Sequence, residues 1–124
     1  MTGGLFAPEG GWVVLIRDLS AEGDESAVEE VRGFATLMHA NAFARAYVRD
    51  SVERCRVAGA TPEEVAADWH AFGEDAVVAD AGAHGWSSVA ELAFFAHTPA
   101  PEGSAERDWR SLDPRRLEHA PQGA

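Results

Sequence analysis

One run of side chains constrains this chain more than any other. Ala40, Phe43, Ala44, Tyr47, Val48, Ser51, Val52 and Cys55 fall at steps of three and four. That spacing lays a continuous apolar stripe along one side of a helix. Thr36 is placed to cap its N-terminus, and the helix is expected to run to about Arg56, with Gly59 ending it. A long one-sided helix cannot bury its stripe alone, so the chain must supply a facing layer. The opposite side carries Arg45, Arg49, Asp50, Glu53, Arg54 and Arg56. This side is expected to face water, with Asp50–Arg54 and Arg49–Glu53 paired weakly at four-residue spacing.

Strands are the natural facing layer. Trp12-Val13-Val14-Leu15-Ile16 follows the Gly10-Gly11 breaker and reads as a strand. The acidic, Gly-containing stretch 18–27 reads as a solvated loop, and Val28 to Ala35 as a returning, edge-like strand. Beyond the long helix, Thr61-Pro62-Glu63-Glu64 combines an N-cap, a first-turn proline and a capping box. The helix it opens is expected to reach Phe72, with Val65, Trp69 and Phe72 inward and Gly73 stopping it. Ala76-Val77-Val78-Ala79 reads as a short third strand. Ser88 and Glu91 suggest a second capping box for a helix carrying Val89, Leu92, Ala93 and Ala96, which Thr98-Pro99 ends.

The expected fold is therefore α+β, in the order β-β-α-α-β-α. A small antiparallel or mixed sheet carries three helices packed on one face, plus a C-terminal tail. Residues 1–100 form the domain. Residues 101–124 are a Pro-, Gly- and Arg-containing tail, in which 107–117 is expected to dock through Trp109, Leu112 and Leu117. Residues 1–100 hold sixteen acidic residues and six arginines, so the arginine-rich tail meets an attractive field there.

The 124 residues suffice for one core. No apolar run approaches the roughly 18 residues of a membrane span, and no secretory signal is seen at the start. A lone cysteine, Cys55, fits a reducing compartment, so a cytoplasmic location is expected. The formal charge of −11 argues against nucleic-acid and anionic-membrane partners. All ten basic residues are arginine, which reads as a genomic bias.

Chemistry-bearing patterns are sparse. The chain has no phosphate loop, dinucleotide glycine pattern, His-Glu-x-x-His or nucleophile elbow. The five histidines never stand three or four apart, so no metal and no cofactor are expected. His39, His97 and His119 read as ordinary surface or helix-end residues. The loop Asp80-Ala81-Gly82-Ala83-His84-Gly85-Trp86 lies between a strand and a helix, where Asp80 can orient His84 and the glycines allow close approach of a ligand. His70 would join that loop if its helix faces it, giving a candidate site of Asp80, His84, Trp86 and His70. Cys55 reads as a structural thiol, although Arg54 and Arg56 are close enough in sequence to activate it. Arg45, Arg49 and Arg56 form a basic strip that suits an anionic ligand or acidic partner, or pairs with Glu53 and the acidic residues 22–30.

These features favour a non-catalytic interaction or accessory protein, homodimeric through free sheet edges. Its candidate partner-binding residues are Trp109, Leu112, Leu117, Arg45, Arg49 and Arg56. The alternatives are a small-molecule-binding protein or enzyme using the Asp80–His84 loop, and an acidic mimic of nucleic acid.

Overall fold

A computed structural model describes residues 8–21 and 28–118, the side chains of Leu117 and Glu118 excepted. Residues 22–27, the Leu117 side chain and His119 lie outside the described residues. Three strands, β1 (Trp12–Asp18), β2 (Val28–Phe34) and β3 (Glu74–Val78), form an antiparallel sheet in the order β2-β1-β3. Helices α1 (Leu37–Cys55), α2 (Pro62–Phe72) and α3 (Leu92–His97) follow the expected order, and a one-turn helix α4 (Arg115–Glu118) closes the C-terminal segment. The α+β class and the β-β-α-α-β-α order hold.

The strand pattern explains the layering. Trp12, Val14 and Ile16 of β1, Val31 and Phe34 of β2, and Ala76 and Val78 of β3 are buried. They share one face because side chains alternate along a strand. The α1 stripe of Ala40, Phe43, Ala44, Tyr47, Val48 and Val52 joins the same core. An extra residue in β2 shifts its register against β1 between Trp12 and Val14. It falls beside Gly33, whose φ of 98° suits glycine alone.

The expected caps appear at the first two helices. Thr36 Oγ1 accepts from the His39 amide at 3.1 Å. Thr61 and Glu64 close a reciprocal box at 3.1 and 2.8 Å. Three details differ. The third strand starts at Glu74 rather than Ala76, because the turn at Gly73 leads straight into pairing with Asp18. The Ser88–Glu91 box does not form. Ser87 instead accepts from Val89 N over a short 3₁₀ turn, and α3 begins only at Leu92. Phe72 is 71% exposed, because Trp69 takes the inward position of the last turn and its indole lies against Gly73.

The largest departure concerns α1. Most of its charged side is covered by α3 and the C-terminal segment instead of by water, while Arg54 stays half exposed. Arg49 is 1% exposed, Asp50 is buried, and the Glu53 side chain is 5% exposed. The cause lies in the end of α3, whose last carbonyls have no helical donor. Arg49 donates to Phe95 O at 3.2 Å and to Thr98 O at 2.7 Å. Arg56 donates to Phe95 O at 2.7 Å and to Ala96 O at 2.9 Å. Two guanidiniums thus cap one helix, and Glu53 and Glu106 balance their charge. The Arg49 guanidinium also lies over the Phe95 ring, 4.7 Å from its centroid.

The two sheet edges differ. Leu19 N bonds to Gly73 O and Ala79 N to Val13 O, so the amides and carbonyls of residues 74, 76 and 78 point away from β1. Side chains meet several of them. Ser51 Oγ accepts from Glu74 N at 2.9 Å, Trp69 Nε1 donates to Glu74 O at 3.2 Å, and Asp75 Oδ1 accepts from Ala76 N at 2.9 Å. On β2, Glu29 and Val31 face Ile16 and Val14, so Val28, Glu30 and Arg32 present their backbone groups outward. Among the described residues those groups have no hydrogen-bond partner.

Candidate functional site

The sequence-based candidates fall in three places. Asp80 and His84 are both exposed beyond the end of β3, and among the described residues their side chains make no hydrogen bond to one another. Asp80 has φ of 62°, a left-handed conformation that aspartate tolerates better than most side chains. The His84 carbonyl accepts from Asn41 Nδ2 at 3.0 Å, while Asn41 Oδ1 accepts from Trp86 N at 2.8 Å. Asn41 on α1 therefore pins this loop through its backbone. Trp86 is committed to packing: its ring stacks on Phe95 and its Nε1 donates to Glu91 Oε2 at 2.7 Å. His70 is exposed beside Trp69 near the end of α2, with all of β3 between it and the Asp80–His84 loop. At about 3.3 Å per residue the strand separates them by roughly 17 Å. The structure does not bring these four residues together.

The basic strip is partly enclosed, with Arg49 buried and Arg45 and Arg56 half-buried. Arg45 binds Glu91 through two bonds of 2.8 and 2.9 Å. That contact holds the Glu91 carboxyl below the usual carboxylate range, with a further contribution from Trp86. Arg49 and Arg56 cap α3. The expected pairs form, at 3.7 Å for Arg49–Glu53 and 3.3 Å for Asp50–Arg54. The sequence gives no sign that α3 would lie across them.

The C-terminal segment lies along the other flank of α1. Trp109 packs 4.9 Å from the Tyr47 ring and 6.1 Å from Phe43, and its Nε1 donates to Asp50 Oδ2 at 3.2 Å. Arg107 Nε donates to the other Asp50 oxygen at 2.8 Å. Leu112 packs on the core, and its carbonyl accepts from His39 Nε2 at 2.7 Å. His39 is thus a half-buried contact rather than a solvent-facing residue. Arg115 pairs with Glu29 on β2 and with Asp113. Trp109 and Leu112 thereby complete the layer over Phe43 and Tyr47.

Sequence reading missed a cleft of about 490 Å³ where α1, α2 and the start of β3 converge. Val57 and Phe72 line it, 61% and 71% exposed. Asp18, Asp68 and Glu74 supply carboxylates, and Arg54 the one guanidinium in the lining. Arg54 is already engaged by Asp50 at 3.3 Å and Glu74 at 3.5 Å. Glu74 also accepts from the Tyr47 hydroxyl at 2.9 Å; burial and this carboxylate together push the tyrosine above its ordinary range. The Ser20 hydroxyl and amide hold Asp18 below the usual carboxylate range. Cys55 lies on the wall, its thiol pushed up by burial against the weaker pull of Arg54. Arg56 is turned away to cap α3, so only one of the two neighbouring arginines acts on the thiol. The signal in the sequence was Phe72 itself, the last apolar residue before a helix-stopping glycine.

Among the described residues no three His, Cys, Asp or Glu side chains gather as metal ligands, and no helix is long and apolar enough to cross a membrane. Comparison with protein-family models, curated proteins and solved structures finds no match.

Proposed function

We propose that this chain is a non-catalytic interaction protein that works as a homodimer and receives a partner in the Val57–Phe72 cleft. The observation that carries this reading is the pairing of two exposed apolar side chains with a carboxylate rim. A phenyl ring at 71% exposure leaves apolar surface in water. A partner that covers it recovers that free energy, and aromatic side chains in hollows are the usual anchors of protein contacts. The rim sets the chemistry of the partner. With Arg54 already paired, Asp18 and Asp68 favour a segment carrying Arg or Lys beside an apolar anchor. The Asp80–His84 loop supports the small-molecule alternative less well, because its two ionisable side chains stand in solvent without touching.

The test is affinity capture from extract of the source cells with three baits: the unaltered chain, Phe72→Asp and Val89→Asp. Val89 is 89% exposed and lies outside the cleft, so it controls for charge alone. A partner retained by the unaltered and Val89→Asp baits, and lost by Phe72→Asp, is the expected result. Equal capture by all three baits would remove the cleft from the function.

A further inference from the structure

We infer that two copies of this chain join through β2, antiparallel about a two-fold axis at Val31, into one six-stranded sheet. The inference rests on the homodimer reading above and adds its surface and register. Three observations carry it.

The first is the contrast between the edges. The outward groups of β3 are in part taken by Ser51, Trp69 and Asp75, whereas those of Val28, Glu30 and Arg32 have no partner among the described residues. An open row of amides and carbonyls is a template for another strand.

The second is charge. Registers with a two-fold axis at Glu29, Glu30 or Val31 set outward members of this row opposite one another, and at Val31 those members are Glu30 and Arg32. An axis at Glu30 sets Glu30 directly opposite its own copy, and an axis at Glu29 does the same for Glu29. Directly opposed like charges are destabilising. An axis at Val31 sets Glu30 opposite Arg32 of the second copy, twice. Both side chains already face solvent on the same side of the strand and pair with each other within one chain. In the dimer they alternate in sign across the axis.

The third is shape. The same register puts Glu29, held within its own chain by Arg115, opposite Gly33, which has no side chain of its own and is flanked by Pro114. Val31, already buried in the core of its own chain, stands opposite its copy at the axis, where no charge is opposed. The Glu30–Arg32 pairs supply the ladder bonds of the junction, two from each hydrogen-bonded pair.

The experiment is light scattering with sedimentation over a dilution series, applied to the full chain and to charge variants. The unaltered chain is expected to dimerise. Arg32→Glu alone, or Glu30→Arg alone, puts like charges opposite each other twice and is expected to raise the dissociation constant about tenfold, the sum of two modest cross-strand penalties. Mixing the two single variants restores complementarity at both contacts, so a heterodimer is expected at close to the original affinity. Glu30→Pro removes an amide that points away from β1, so it should abolish the dimer while leaving the melting transition in place. If the chain dimerises but is indifferent to these charges, the β2 register is wrong and the homodimer reading survives. If it stays monomeric throughout, both fall, while capture by the cleft is a separate measurement.

Discussion

Replacing Arg49 tests the buried polar layer most directly, because two changes separate its charge from its volume. Arg49→Met keeps much of the bulk and removes the guanidinium. Phe95 O still has Arg56 at 2.7 Å, and Glu53 keeps its two bonds from Arg56. Glu106, about half exposed, can turn to water. Thr98 O, on an exposed residue, loses its side-chain donor and can turn to water, at about 1 kcal/mol for the bond itself. The cation–π contact with Phe95 adds about 1–2 kcal/mol, offset in part by relief of the arginine's own desolvation. The expected net loss is about 1–2 kcal/mol. Arg49→Ala empties the site as well, and the cavity brings the loss to about 5 kcal/mol. Urea unfolding at neutral pH, followed by circular dichroism, gives both differences. A Met variant as stable as the parent would show that the guanidinium is tolerated at this position rather than needed, and the account of α3 capping would fail.

Two further outcomes follow from the same layer. Trp109→Ala should cost about 2–3 kcal/mol, below the full price of a buried indole because the ring is only half covered, and should speed amide exchange across 105–113. Slow exchange there in the variant would mean that Trp109 does not hold the segment down. Glu91 has a folded pKa depressed below its ordinary 4.5, so its stabilising contribution is fully present above that pH and is lost as pH falls through the lower folded value. Glu91→Gln should therefore be less stable than the parent at pH 7, and the gap should close on acidification below about pH 4. A gap that persists unchanged at low pH would assign the effect to packing.

What was legible in the sequence was whatever is decided locally. Thr36, the Thr61–Glu64 box and the α1 stripe each rest on residues within a turn or two, and each appears in the structure. The fate of α1's charged side was not legible, because it depends on carbonyls at residues 95, 96 and 98 and on side chains at 106–109. A row of arginines and carboxylates reads the same whether water or a second helix lies over it. Phe72 failed for a related reason: the heptad-like spacing with Val65 and Trp69 continues to the end of the helix, but the core beneath it does not. Ser88 was displaced by its neighbour Ser87, a one-residue ambiguity between adjacent serines that only the backbone resolves.

The cover over α1 also fixes an order of events as the chain is made. Arg49 and Asp50 leave the ribosome about fifty residues ahead of the carbonyls and side chains that will satisfy them, since Phe95, Thr98, Arg107 and Trp109 come last. Until then α1 can lay its apolar stripe on β1 and β2, but its other side holds charges in water that only later become interior. The N-terminal half can thus stay hydrated and open along one flank during synthesis, and the arrival of residues 91–113 converts that flank from surface to interior. Such late, distant contacts raise the average sequence separation of the fold and slow its final step relative to a simple helix bundle. A chain cut short before residue 105 would therefore keep its caps and its first hairpin, yet leave Asp50 and the Tyr47 ring without the partners that Arg107 and Trp109 provide.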